Sequence, residues 1–499
     1  MGAPALLPSE TFEPQIAKAD LIARLAAVLP AEALLHERED LKPFECDGMT
    51  AYQRVPLMVA LPADEDQVRA VLNICYEGRV PVVFRGAGTG LSGGALPYEQ
   101  GLLLVMAKMK RILEIDPLAR VARVQPGVRN AAISEATAPH GLYYAPDPSS
   151  QIACSIGGNV AENSGGVHCL KYGLTVHNIL RLRVVTIQGE VLEIGGEGLD
   201  SSGYDLLALM TGSEGMLGVV TEITVKLLPK PQKAQVVLAA FDDLLKAGQA
   251  VADIIGAGIV PAGLEMMDKK ATAAVEQFVH ADYPLDAEAI LLCESDGTVE
   301  EVAAEIERMT EVMRKAGATE VRTSRNETER LKFWAGRKAA FPAVGRIMPD
   351  YYCMDGTIPK KQLPYVLKRI AELSEKFQLQ CANVFHAGDG NLHPLIMFDA
   401  ADDDQNDRAE AYGAAILELC VEVGGTITGE HGVGVEKINQ MCVQFRTGEL
   451  QAFHAVKKVF DEFGLLNPGK AVPTLQRCAE HGAMRVHRGQ EKFPDLPRF

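Results

Sequence analysis

Arg85-Gly86-Ala87-Gly88-Thr89-Gly90-Leu91-Ser92-Gly93-Gly94 is the stretch whose reading decides the fold. It spells Gly-x-Gly-x-x-Gly at Gly88, Gly90 and Gly93, which in a Rossmann unit follows a strand and opens a helix, so that pyrophosphate meets the helix N-terminus. A β-branched run, Val80 to Phe84, precedes the loop, but Pro97 follows it and the next run, Leu102 to Met106, is again strand-like. The context therefore argues against an NAD site. A strand, glycine loop, strand arrangement still suits a diphosphate, because glycines let successive backbone N–H groups line a concavity around an anion. A flexible loop without a ligand is the bland alternative.

Working outward, short runs punctuated by glycine continue at Leu57 to Leu61, Val121 to Val124 and Arg181 to Ile187. Glu65 to Gly78 has helical periodicity with an acidic first turn. Upstream, Ala17 to Leu29 and Ala31 to His36 read as helices broken at Pro30. Beyond Pro229-Lys230-Pro231, strands at Val236 to Ala240, Ala289 to Glu294 and Glu320 to Arg322 alternate with amphipathic helices at Asp242 to Gly256, Thr298 to Ala316 and Lys361 to Phe377. That alternation predicts a helix-covered sheet. The acidic stretch Asp399 to Asp404 reads as a solvated loop.

The chain has 499 residues, 47 % hydrophobic and 23 % charged, which predicts a soluble globular protein of several domains. A net charge of −17 argues against a nucleic-acid surface, so an anionic ligand has to be drawn in by local cations. No apolar run approaches the ~20 residues of a membrane-spanning helix, the N-terminus lacks a signal pattern, and Leu6 stands where a myristoylation motif has Ser or Thr. A cytoplasmic protein is expected. The 10 cysteines form no Cys-x-x-Cys pair, which predicts reduced thiols and excludes the usual iron–sulfur ligand runs. Electrons from any redox chemistry must then leave through another subunit or a diffusing acceptor.

Three further motifs follow the loop in order: Ala145-Pro146-Asp147-Pro148-Ser149-Ser150, the segment Ile156 to Gly166, and the segment Gly212 to Thr221. Together the four resemble the FAD-binding domain of the vanillyl-alcohol oxidase family, the PCMH type. The resemblance implies an α+β protein with non-covalent FAD, since Thr89 stands where some relatives attach the flavin through histidine. It implies flavin contacts from Arg85, Gly86, Ala87, Gly88, Thr89, Gly90, Leu91 and Ser92 at the diphosphate. Pro148, Ser149, Gly157, Gly158, Ser164 and Glu214 follow, with Val219 and Val220 at the ring edge. The expected division is a helical arm (1–50), the FAD-binding domain (51–231), an α+β cap with an antiparallel sheet (232–440) and a C-terminal helical segment returning to the flavin (441–499), where Asn467 of Leu466-Asn467-Pro468-Gly469-Lys470 is a further contact.

In Val384-Phe385-His386-Ala387-Gly388-Asp389-Gly390-Asn391-Leu392-His393-Pro394, two apolar runs flank Asp389-Gly390, the dipeptide favoured in a two-residue type I′ turn. A turn centred there pairs His386 directly with His393, close enough for both imidazoles to hold one cation. Thr428-Gly429-Glu430-His431-Gly432 offers a third ligand, and two imidazoles with a carboxylate suit Zn²⁺ while admitting Mn²⁺ or Fe²⁺. These segments resemble the D-2-hydroxy-acid dehydrogenases of the same flavoprotein family. That resemblance implies His386, His393 and Glu430 as metal ligands, His431 as catalytic base and Asn391 beside the site.

Trp334-Ala335-Gly336-Arg337-Lys338 resembles the family segment whose arginine anchors the substrate carboxylate, with Lys338 and Arg346 as competing candidates. Relatives acting on diacids carry further polar groups where this chain has Phe341 and Cys353, so a small monocarboxylate is expected. Tyr351 and Tyr352 are candidate pocket residues. The resemblance runs to the ending Phe493 to Phe499 and is nearest to the glycolate-oxidising members. It implies oxidation of glycolate, and of D-lactate, by hydride transfer to flavin N5. The implied electron acceptors are a second flavin-type subunit and an iron–sulfur subunit at the membrane. A D-lactate or D-2-hydroxyglutarate dehydrogenase is the nearest alternative, and a non-catalytic flavin-binding subunit the alternative of another class.

Overall fold

The computed structural model describes residues 12–198, 203–475 and 477–478. The ending Phe493 to Phe499 lies outside them.

The strand before the glycine loop, Val82–Arg85, runs parallel to Leu102–Val105, which runs parallel to Met58–Ala60; Leu34–Leu35 closes this four-stranded sheet antiparallel. No helix intervenes between loop and strand, as the position of Pro97 predicts. The helix Glu65–Gly78 is started by Asp64, whose side chain accepts from the Gln67 N–H, and ended by Arg79 in the left-handed region at φ 52°. Its stripe of Val68, Val71, Leu72 and Cys75 is buried against the sheet. A five-stranded antiparallel sheet follows, in the order Ile112–Asp116, Val121–Val124, Val219–Lys226, Ile179–Val185, Val191–Gly195.

The second half is built on a seven-stranded sheet in the order Glu320–Thr323, Lys233–Phe241, Ala289–Gly297, Gly263–Asp268, Gln380–His386, Asn391–Phe398, Asp350–Cys353, antiparallel throughout. Its strands bury both faces, so they read as continuous apolar runs rather than alternating ones. Helices Leu244–Gly256, Val299–Lys315, Leu363–Phe377 and Asp403–Glu422 cover one face. Lys269–Val279, Glu327–Lys338 and Ala340–Val344 cover the other.

Three expectations are corrected. Ala31 to His36 makes only a short 3₁₀ turn, Ala31–Ala33, before Leu34–Leu35 joins the sheet, because pairing with Val59 and Ala60 outweighs helix propensity. The acidic stretch after Asp399 is not all loop, since Asp402 caps the helix that begins at Asp403. Cys442 and Cys478 form a disulfide with Cα atoms 5.2 Å apart; the other eight cysteines are free thiols. Tertiary proximity makes that pair, and spacing does not reveal it.

Candidate active site

A cavity of about 420 Å³ lies where the glycine loop faces the second half. Every residue expected at the flavin lines it except Ser92. Ser92 is fully buried and turned into the fold, its hydroxyl donating to His431 O at 3.0 Å and its carbonyl accepting the Val435 N–H at 3.0 Å. It ties the glycine loop to the histidine loop instead. Glu214 reaches the cavity, but its carboxylate accepts the Val433 and Gly434 N–H groups, both at 2.7 Å. Asn467 lines the cavity beside the strand Val82–Arg85: its N–H donates to Val82 O at 2.8 Å and its side-chain oxygen accepts the Phe84 N–H at 3.2 Å.

The hairpin register differs from the expected one. His386 pairs with Asn391 and Val384 with His393, so the loop is four residues, Ala387 to Gly390, rather than two. The cause lies outside the dipeptide: Gly388 N–H donates to Leu264 O at 2.9 Å and Gly390 O accepts the Ile358 N–H at 3.0 Å, so neighbouring segments capture the turn backbone. The displacement is two residues, an even number, which leaves both histidines on one face. Their ring centroids are 5.0 Å apart.

Glu430 Oε1 stands 3.2 Å from His386 Nε2 and 2.9 Å from His393 Nε2, and ligand atoms of the three residues all lie within 4.8 Å of one another. Behind them, His386 Nδ1 meets Glu265 Oε1 at 2.8 Å and His393 Nδ1 meets Met354 O at 3.1 Å. Both outer partners only accept, so each Nδ1 carries the hydrogen and each Nε2 is left facing an anionic oxygen. That arrangement requires positive charge between the rings and Glu430. Although burial lowers it, Glu265 and Glu430 hold the His386 pKa well above the ordinary value.

His431 differs. Its ring stacks on His393 with centroids 5.0 Å apart and its Nε2 is 3.8 Å from Glu430 Oε1. Burial lowers its pKa to about 4 against the opposing attraction of Asp355, leaving a neutral imidazole. His393, Glu430 and His431 line the cavity, while His386 and Asn391 stand behind them.

Arg337 is placed otherwise than expected. It is 1 % exposed and absent from the cavity lining, with Nε on Glu265 Oε2 at 2.7 Å and Nη2 without a partner among the described residues. Lys338 lines the cavity with Phe341 and Tyr351. Arg346 lies over the Phe278 ring at 5.5 Å. Tyr352 points to the opposite face of the strand and packs on the core.

Residues 56–195 match the model of an FAD-binding domain, and residues 230–471 match that of the C-terminal domain of FAD-linked oxidases. Glycolate oxidase subunit GlcD of Escherichia coli (strain K12) is 63 % identical over 97 % of this chain and 97 % of its own. The chain belongs to the FAD-linked oxidases. Another relative, a D-lactate dehydrogenase of Anaerostipes hadrus, is 31 % identical over 90 % of this chain and 97 % of its own. Substrate-bound p-cresol methylhydroxylase shares the fold with a TM-score of 0.78 at 17 % identity, over 92 % of this chain and 97 % of that one. The expected PCMH-type α+β architecture stands on that likeness.

The cavity of this FAD-linked oxidase fits the dinucleotide. A Cβ added at Gly86 would collide with Ser155 Oγ, and one at Gly157 would meet Pro126 at 2.5 Å. Neither position has room for a side chain, so glycine backbone lines the cavity there. Two residues of the site escaped the sequence reading. Glu265 sits in the largely apolar strand Gly263–Asp268, where a carboxylate between Leu264 and Met266 is the signal. Asp355, fully buried, carries none beyond being acidic.

Proposed function

We propose that this chain is the FAD-bearing, substrate-oxidising subunit of a glycolate oxidase, converting glycolate to glyoxylate and D-lactate to pyruvate. The observation that carries the reading is the convergence of His386, His393 and Glu430 on one point beside His431, at the wall of the flavin cavity. The whole-length likeness to glycolate oxidase subunits supports the choice of substrate.

His386, His393 and Glu430 would hold a divalent cation, Zn²⁺ by donor type with Mn²⁺ or Fe²⁺ admitted. When bound, the cation would supply Lewis acidity toward the oxygens of a 2-hydroxy acid and FAD would supply the hydride acceptor. The remaining work falls to the chain. His431, neutral and buried, takes the hydroxyl proton as general base. The substrate carboxylate is held by Lys338 on the wall, while Arg337 acts from behind by fixing Glu265, whose other oxygen meets His386 Nδ1. Phe341, with its ring centroid 6.4 Å from that of His393, closes the pocket with an apolar surface, which leaves no partner for a second carboxylate. Asn391 orients the site from behind, with its amide on Asp355 Oδ1 at 3.0 Å.

Electrons leave to partner subunits, a second flavin-type subunit and an iron–sulfur subunit, because this sequence has no cluster-ligand run. No helix among the described residues is long and apolar enough to cross a membrane, and in this reading any membrane association runs through those partners. A D-lactate dehydrogenase is the second reading, favoured by the likeness to the enzyme of Anaerostipes hadrus. Dye-coupled turnover of glycolate, D-lactate and D-2-hydroxyglutarate tests the assignment. The first two are expected to turn over well, and a preference for the diacid overturns the pocket argument.

A further inference from the structure

The loop Thr428 to His431 carries both a metal donor and the base, yet it belongs to no strand or helix, so something must fix it. The fixing group is one carboxylate. Asp355 Oδ2 accepts the Thr428 hydroxyl at 2.6 Å and the backbone N–H groups of Gly429 at 3.1 Å and His431 at 3.0 Å, while Oδ1 accepts that of Glu430 at 3.2 Å. Three successive N–H groups converging on one anion form a nest that holds the backbone in a single conformation. Lys437 Nζ, fully buried, balances the charge at 3.3 Å. Asp355 is itself set by the hairpin, since Met354 N–H donates to Pro394 O at 3.1 Å and Leu392 N–H to Gly356 O at 2.9 Å. Its Oδ1 also accepts the Asn391 amide at 3.0 Å. The strand that carries His393 and the loop that carries Glu430 and His431 thus share one fixed point.

We propose that Asp355 is the positioning residue that places Glu430 and His431 against the two hairpin histidines, so that metal affinity and proton abstraction both depend on it. This rests on the functional reading above. The test is Asp355→Asn in the FAD-loaded full chain. One oxygen then becomes an NH₂ group aimed at N–H donors while the side-chain shape is kept. Zn²⁺ affinity, measured by competition with a chromophoric chelator, is expected to fall about 10–100-fold, the usual effect of losing an outer-shell partner. Anaerobic flavin reduction by glycolate is expected to slow by a similar factor with FAD retained. Thr428→Val, which removes a single hydroxyl from Asp355, should move both in the same direction by less.

A purely structural role would lower the melting temperature and FAD content while leaving Zn²⁺ affinity and reduction rate of the loaded fraction unchanged; that result overturns the proposal. If Asp355→Asn does not fold, wild-type values in Thr428→Val overturn it. Should the wild type bind no Zn²⁺, the metal reading falls, and Asp355 is judged on reduction rate alone. Should glycolate fail to reduce the wild type, the substrate reading falls, and Asp355 is judged on Zn²⁺ affinity alone.

Discussion

In the proposed reaction His431 takes the hydroxyl proton, and its environment sets its pH behaviour. Burial disfavours the charged imidazole, so its pKa drops to about 4 and the neutral form prevails above that. Flavin reduction should therefore be flat with pH from 5 to 7 and decline as pH falls through about 4; a midpoint near the ordinary histidine value would contradict the assignment. Replacing His431 with Ala should leave FAD bound and slow reduction by about 10²–10⁴-fold, the range for a lost general base. Anaerobic stopped-flow bleaching reads both outcomes. Lys338→Met should raise KM for glycolate several-fold more than it lowers kcat, whereas equal KM values would remove it from the site. At this scale the sequence revealed residue types but not contacts. Two histidines and a Glu-His pair between glycines were legible because few other chemistries use them. Nothing in the pattern separated Arg337, enclosed on Glu265, from its neighbour Lys338 on the cavity wall. One helical step decides which side chain meets the cavity, and packing sets that step.

The hairpin is where element geometry becomes chemistry. Period-2 alternation told that His386 and His393 share a face, and an even register shift preserved this, while turn length was legible only locally. Asp389-Gly390 favours a two-residue turn, but hydrogen bonds from Gly388 to Leu264 and from Ile358 to Gly390 impose a longer one. The imposed loop holds Gly390 at φ 85°, where an added Cβ would strike Ile358 O. Gly390→Ala should destabilise the fold by about 1–3 kcal/mol, the cost of holding a non-glycine residue in a disfavoured backbone region, and should weaken Zn²⁺ binding with it. Urea unfolding followed by tryptophan fluorescence and chelator competition measure the two. An unchanged midpoint would mean that the loop relaxes freely. The glycine loop shows the opposite case, since strand, glycines and a following strand were all local signals and all appear in the structure.

Across the whole molecule the two halves are tied by a partly buried charge cluster. His168 Nδ1 meets Asp147 Oδ2 at 2.8 Å on the flavin side, and its Nε2 meets Glu294 Oε1 at 3.2 Å on the other; Glu294 also takes Arg330 at 2.6 Å. Burial alone lowers the His168 pKa, but the two carboxylates outweigh it and raise it well above the ordinary value. A raised histidine stabilises the fold fully below its unfolded pKa of ~6.5 and loses that contribution as pH rises through the folded value. Thermal melts of the wild type should accordingly fall as pH rises above ~6.5 towards the raised folded value. His168→Gln should flatten that slope and cost about 1.5–3 kcal/mol at pH 6, the range for hydrogen bonds to charged groups; parallel slopes would remove the tie. Such long-range pairing is illegible in sequence, as is the Cys442–Cys478 disulfide, because both depend on segments meeting only after folding. In the proposed reaction a small 2-hydroxy acid is oxidised to the 2-oxo acid beside a cation held by His386, His393 and Glu430, losing its hydroxyl proton to neutral His431 and a hydride to the flavin. Anaerobic bleaching of the holoenzyme by glycolate, before and after removal of divalent cations with a chelator, tests it most directly. Rapid bleaching that is lost on chelation with FAD still bound, and restored by Zn²⁺ or Mn²⁺, is the predicted result. Bleaching that persists at full rate in the metal-free protein, or never occurs with glycolate, would contradict it.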